Sequence, residues 1–232
     1  MKKDSLIKIE FLQTPTAQVS TIKDLQEYHS KIKRLIKSRE NHFDEVWKNA
    51  VGKEIFAELA FCLFTPQSKA VSCWAAVNAL ADRGMLFSAT AQEIAKVIPM
   101  VRFRNNKSKY LVAAREQFVK NGKTNIKEFL ASYKDMALLR NWIVKNIKGI
   151  GYKEAGHFLR NIGIGKNLAI LDRHILKNLK ILGAIKEIPK TLTPQVYTDI
   201  EKQMQDFSQK IQIPMPRLDM LLWCKESGGI FK

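Results

Sequence analysis

Apolar residues recur at three- and four-residue intervals along most of the chain. Leu25, Tyr28, Ile32, Leu35 and Ile36 form one such stripe, and Val46, Trp47, Ile55, Leu59, Phe61, Cys62 and Leu63 carry it into a denser run. This spacing stacks side chains on one face of an α-helix, so it predicts helix. The Thr65-Pro66 step ends the run, because proline disfavours helical backbone in the residue before it. Further helical patterns span 69–82, 91–97, 107–119, 126–130, 135–147, 153–161, 173–182, 194–210 and 217–225. The breaks between them carry Gly, Pro or Asn, as at Arg83-Gly84, Asn121-Gly122, Gly149-Ile150-Gly151, Gly163-Ile164-Gly165, Ile188-Pro189 and Pro214-Met215-Pro216. No alternating run is long enough for a strand, although residues 4–12 read as an extended arm. The pattern predicts an all-α bundle of roughly ten helices, without an internal repeat or a strong linker.

Composition adds a partner. The 232 residues are 46% hydrophobic and 26% charged, which is globular usage. Lys plus Arg number 39 against 22 Asp plus Glu, a net charge of +17 that points to an anionic partner such as nucleic acid or an acidic membrane surface. No apolar stretch approaches the ~18 residues of a membrane span, and no signal peptide is readable, so a cytoplasmic protein is expected. Cys62, Cys73 and Cys224 lie in apolar context and read as buried thiols; with no CxxC and no ligand spacing among the histidines, neither zinc nor an iron–sulfur cluster is expected.

The segment from Ile143 to Ala155 carries the sharpest signal. A helix ends at Ile147, Gly149 and Gly151 frame Ile150, and a second helix starts near Tyr152. Glycines there allow unusual backbone conformations and close approach, and the amides opening the next helix form a concavity suited to phosphate. Lys145, Lys148 and Lys153 surround it. This is a helix-hairpin-helix pattern, a grip on the DNA backbone without base preference. A turn whose glycines act only as caps is the plainer alternative.

The stretch Ile147-Lys-Gly-Ile-Gly-Tyr-Lys-Glu-Ala-Gly-His-Phe-Leu-Arg160, followed by Ala169-Ile-Leu-Asp-Arg-His-Ile175, resembles the helix-hairpin-helix DNA glycosylase superfamily. Within it the match is to the archaeal-type 8-oxoguanine DNA glycosylase/lyase branch. The likeness is strongest over 141–176, plausible from about residue 56 onwards, and leaves the first 40 or so residues uncovered. It implies two helical subdomains flanking an active-site cleft in a single domain, with approximate boundaries 60–165 for one and 1–59 plus 166–232 for the other. It also implies Lys153 as nucleophile and Asp172 as essential carboxylate, with no cofactor or metal. That chemistry suits the residue types. A carboxylate stabilises the positive sugar formed as a base departs, and a neutral lysine amine attacks to give a Schiff base through which β-elimination cuts the strand. Lys153 also fits a phosphate-gripping lysine, and Asp172 an ordinary helix N-cap. His157 and His174 read as structural.

A base inside duplex DNA must leave the stack before such a pair can reach it. Two loops are suited to drive it out: 65–69, where Gln67 resembles the family's gap-filling residue, and 102–107, where Phe103 resembles its wedge. Arg102, Arg104 and Lys107 stand around that wedge, with Lys109 close by, to attract phosphate alongside Gly149, Gly151 and Lys148. A core position in the helix it precedes is the plainer alternative for Phe103. Near the C-terminus, Asp219 and Trp223 share a helical face on which an indole could stack on a purine and a carboxylate could accept its N–H groups. The resemblance adds Lys232, ending a flexible Gly228-Gly229 tail, to base recognition, through its carboxylate in one form of the idea. A C-terminal four-cysteine cluster, as in endonuclease III-like relatives, is absent.

These features together lead to a bifunctional enzyme that removes 8-oxoguanine from double-stranded DNA and nicks the strand, acting as a monomer near the nucleoid without membrane contact. A non-catalytic helix-hairpin-helix module, and the same chemistry on an oxidised pyrimidine, remain alternatives at this point.

Overall fold

The computed structural model describes residues 10–120 and 122–232. The elements run β1 (Leu12–Gln13), α1 (Ile22–Asn49), α2 (Gly52–Phe64), α3 (Ala70–Asp82), α4 (Ala91–Val97), α5 (Arg104–Phe118), β2 (Val119–Lys120), β3 (Lys123–Thr124), α6 (Ile126–Ala131), α7 (Met136–Asn146), α8 (Tyr152–Asn161), α9 (Arg173–Ile181), α10 (Pro194–Lys210), α11 (Met215–Ser227) and β4 (Gly229–Ile230). The all-α expectation holds. Of the arm expected over 4–12, residues 4–9 lie outside the described residues, and Leu12 opens β1.

Local chemistry starts these helices. Thr21 and Asp24 cap α1 reciprocally, as Thr90 and Glu93 cap α4. Asp135 caps α7, and Thr193 with Pro194 opens α10. Along α1 the buried side chains are Leu25, Tyr28, Ile32, Ile36, Arg39, Phe43 and Val46, one face at helical spacing.

The pattern that runs unbroken from Val46 to Leu63 is interrupted in the structure. Ala50 and Val51 are extended, and α2 starts at Gly52, where the Glu54 carboxylate accepts from the Val51 amide at 2.8 Å. A methyl at Gly52 would lie 2.6 Å from Thr124 Cγ2, so the glycine admits β3 against the start of α2. Apolar spacing alone does not report such a contact.

Two apolar cores result. One spans Val46 to Leu168 and includes Phe231; α2, buried from Ile55 to Phe64, runs through it. The other joins α1 to α9, α10 and α11, and includes Ile230. The C-terminal tail is therefore not the flexible segment expected. It pairs antiparallel with β1, Leu12 opposite Ile230 and Gln13 opposite Gly229, and places neighbouring residues in different cores. The Gly228-Gly229 signal marks the αL cap of α11 and close packing on Phe11 instead of disorder. No helix among the described residues is long and apolar enough to cross a membrane.

Candidate active site

Between the cores lies a cleft of about 880 Å³. Its walls come from the 65–70 loop, α8, the 170–175 segment and α11. The hairpin that delivers α8 is anchored by Ile147 and Ile150, both buried. Gly149 has φ +89°, and a methyl there would collide with the Tyr110 ring, so both backbone and space require glycine. Gly151 differs from expectation: at φ −97° and ψ −175° it is extended, a conformation open to any residue. Lys148 is exposed, its ammonium 5.6 Å from the centre of the Tyr110 ring.

Lys153 occupies the first turn of α8 with its side chain 27% exposed, and its ammonium lies 3.6 Å from Glu154 Oε1. Asp172 caps α9, with Oδ1 accepting from the amides of His174 at 2.8 Å and Ile175 at 2.9 Å. Capping fixes the carboxyl plane while leaving Oδ2 outside the cap. The expected catalytic pair thus lines a single cleft.

Deeper in, Asp219 is buried and accepts from Arg160 at 2.6 Å through Oδ2 alone; its Oδ1 has no partner among the described residues. Burial pushes the Asp219 pKa up to about 6, opposed by the Arg160 charge and reinforced by that of Asp172. Trp223, half-buried, lines the same wall. His157 lies beside Phe61 with ring centroids 5.6 Å apart. Burial, with the charges of Arg160, Lys153 and Lys232, holds its imidazole well below the ordinary pKa. Neither ring nitrogen completes a hydrogen bond among the described residues, although the Lys232 main chain lies beside it.

Lys232 lines the cleft, yet its side chain is turned into the core. Its ammonium donates to Glu58 Oε1 at 2.5 Å and lies 3.1 Å from the centre of the Trp74 ring. Burial lowers its pKa to about 8, against the opposing Glu58 charge. This ammonium is spent on the protein and is not offered to a base.

A family model described as 8-oxoguanine DNA glycosylase matches residues 36–213. The chain belongs to that family. A relative from Fusobacterium nucleatum, described as an 8-oxoguanine DNA glycosylase/AP lyase, is 48% identical over 213 residues, covering 89% of this chain and 98% of its own. One from Methanocaldococcus jannaschii with the same description is 35% identical over 214 residues, covering 91% and 99%. Among solved structures, the M. jannaschii 8-oxoguanine glycosylase/lyase in complex with a 15mer DNA containing 8-oxoguanine superposes with TM-score 0.82 at 33% identity, covering 91% of this chain and 99% of that one. The Thermotoga maritima 8-oxoguanine DNA glycosylase gives 0.80 at 28%, covering 91% and 98%.

In this 8-oxoguanine DNA glycosylase family member, the two loops expected to enter DNA form a single unit. Gln67 and Phe103 both hold left-handed backbone, at φ 55° and 60°, which is unfavourable for residues with side chains. Gln67 is exposed and lines the cleft, and Phe103 is 52% exposed with the Arg102 guanidinium 4.9 Å from the centre of its ring. Exposure of that size excludes the core role for Phe103. The Arg102 amide donates to Ser68 Oγ at 3.0 Å, tying one loop to the other. Arg104 and Lys109 are exposed.

Lys107 is a correction. Helix α5 begins at Arg104, not Lys107, so Lys107 falls within its first turns and faces inward, 4% exposed. Its ammonium donates to Phe64 O at 2.7 Å, Pro66 O at 2.6 Å and Ser68 Oγ at 3.2 Å. All three donors are used on the 64–68 loop, which leaves none for phosphate. Glu58 and Arg160 were not singled out from the sequence. Glu58 had a readable signal, a lone acid inside the apolar run 55–64, where a charge needs a buried partner.

Proposed function

We propose that this protein is a bifunctional DNA glycosylase that removes 8-oxoguanine from duplex DNA and then nicks the strand, with Lys153 as nucleophile and Asp172 as the stabilising carboxylate. The reading takes it to act in the cytoplasm as a monomer. The observation that supports it best is that Lys153, on the first turn of α8, and Asp172, capping α9, line one cleft together with Asp219 and Trp223.

In this mechanism Phe103 and Gln67 enter the duplex while Arg102, Arg104, Lys148 and the amides at Gly149 and Gly151 hold phosphates. The extruded purine enters the cleft, stacks on Trp223 and donates N–H groups to the free Oδ1 of Asp219. A pocket with a buried acceptor waiting for a donor discriminates against a base that lacks it. The lysine attacks as a free amine. Its nitrogen bonds to C1′ of the deoxyribose as the bond from C1′ to the base breaks, and the base leaves with that electron pair and then takes a proton. Asp172 lowers the energy of the cationic sugar in between. Ring opening yields an iminium, which acidifies the C2′ proton; its loss expels the 3′ phosphate and cuts the strand.

Borohydride reduces the iminium and should leave the protein covalently joined to an 8-oxoguanine duplex, with the adduct abolished in Lys153→Gln. Undiminished trapping in that variant overturns the nucleophile assignment. DNA binding without base release across a panel of lesions would favour a non-catalytic module, and faster release of an oxidised pyrimidine would reassign the substrate.

A further inference from the structure

Asp172 is carried by a short segment, 169–171, that belongs to no helix or strand. Buried backbone outside regular structure must find partners elsewhere, and here α10 supplies them. The Tyr197 hydroxyl donates to Ala169 O at 2.7 Å and accepts from the Leu171 amide at 3.1 Å. Glu201, one turn further along α10, accepts from the Ala169 amide at 2.6 Å. The Asp172 amide closes the segment by donating to Ile170 O at 2.8 Å.

The same two side chains reach the nucleophile's helix. Glu201 takes both terminal nitrogens of Arg140, on α7, at 2.5 and 2.9 Å. The Arg140 guanidinium lies 5.2 Å from the Tyr152 ring centre and 5.4 Å from that of Tyr197, and those two rings are 5.3 Å apart. Tyr152 immediately precedes Lys153, and Leu171 immediately precedes Asp172. From the other side, α8 presses on the segment at Gly156, where a methyl would lie 2.9 Å from Ala169 O.

We propose that Tyr197, braced by Glu201 and Arg140, is a positioning residue that sets where the Asp172 carboxylate stands relative to the Lys153 amine. It touches neither DNA nor the reacting atoms; it acts through the backbone on which Asp172 is mounted. The proposal rests on the assignment of Lys153 and Asp172 made above. Its signature is selective. Asp172 is needed most when the base departs and the sugar becomes cationic, whereas a preformed abasic site has no base to lose. A misplaced carboxylate therefore slows base release more than it slows strand cleavage at an abasic site.

The test is Tyr197→Phe, which keeps the ring and removes the hydroxyl, assayed in single turnover and normalised to the enzyme that borohydride can trap. Release of 8-oxoguanine should fall by about 10- to 100-fold, with abasic-site cleavage and duplex affinity held within about threefold of wild type. Glu201→Asp, which keeps the charge but withdraws the acceptor from Ala169, should show the same selectivity and serves if the first variant folds poorly. In an Asp172→Asn background, Tyr197→Phe should add no further loss, because there is no carboxylate left to misplace. Equal slowing of both reactions, unchanged base release, or multiplicative loss in the double variant would overturn the proposal. Failure of the Lys153 assignment would appear separately, as trapping that survives Lys153→Gln with Tyr197 intact.

Discussion

Arg140 meets Glu201 through two parallel bonds, and Glu201 holds the Ala169 amide as well. Arg160 meets Asp219 through one bond, and its second terminal nitrogen reaches Asn161 at 3.3 Å; the Nε of both arginines lacks a partner among the described residues, and so does Asp219 Oδ1. Both pairs are buried, and both join helices far apart in sequence. The difference lies in how the carboxylates are used. Glu201 spends both oxygens on the protein and fixes backbone. Asp219 keeps one oxygen free in a cleft wall, where an unmet acceptor raises the energy of the empty protein and becomes favourable only when a donor arrives. A carboxylate with both oxygens used supports the fold, and one with an oxygen left over stores discrimination.

The largest expected effect breaks the Arg140–Glu201 pair. Glu201→Gln strips a buried guanidinium of its counter-charge, a change that costs about 3–5 kcal/mol, read as a lower urea midpoint. Asp219→Asn should cost distinctly less, because burial already penalises the charged form of Asp219 and drives its pKa upward. Equal losses in the two variants would erase the distinction between the pairs.

Catalysis should not follow that ranking. Asp219→Asn presents an amide to the base in place of a spare acceptor, and the loss of one buried hydrogen bond of about 1.5–3 kcal/mol corresponds to roughly 10- to 100-fold slower 8-oxoguanine release. Cleavage of a preformed abasic site should be unaffected, since no base is present to be read. Matching losses in both assays would move Asp219 from base recognition to support of the fold.

The Arg160–Asp219 pair also carries a pH signature. A pKa raised from 3.8 to about 6 means the folded protein binds a proton at Asp219 more tightly than the unfolded chain does. This contribution is fully present below about pH 3.8 and is lost as pH rises through about 6. Relative to Asp219→Asn, wild-type stability should therefore decline between those values, as followed by urea unfolding across the range. A flat difference would mean that Arg160 compensates the carboxylate fully.

The sequence made one of these regions legible and hid the other. Asp219 and Trp223 are four residues apart, so helical periodicity puts them on one face, while Lys153 and Asp172 follow from the resemblance of the 147–160 and 169–175 stretches to the glycosylase family. Arg140 and Glu201 lie in different helices, and on a linear reading each is one more charged residue on an amphipathic helix. Tyr197 passes for an ordinary apolar position, because its role depends on a hydroxyl meeting backbone that no local pattern brings near. The C-terminal tail was misread for the same reason: two glycines signal freedom locally, while the β1 strand that orders them comes from the opposite end of the chain. Local rules report what a helix does for itself, and the long-range partner decides the remainder.

The smallest expected effect carries the comparison from carboxylates to cations. Lys107 is the saturated case, with its ammonium consumed by three acceptors, and Lys148 is the open one, exposed beside the hairpin. An exposed lysine on phosphate releases about one counterion, so Lys148→Ala should shrink the slope of log affinity against log salt by about 1 without moving the unfolding midpoint. Lys107→Met should leave that slope unchanged. It should instead slow base extrusion, because Ser68, which it shares with the Arg102 amide, joins the loops that hold Gln67 and Phe103 in their left-handed conformations. A fluorescent base analogue at the lesion position separates the two effects, reporting extrusion while a salt titration reports phosphate contact. A reduced salt slope in Lys107→Met would mean that its ammonium leaves the loop to meet DNA, and the division between saturated and open cations would fail there.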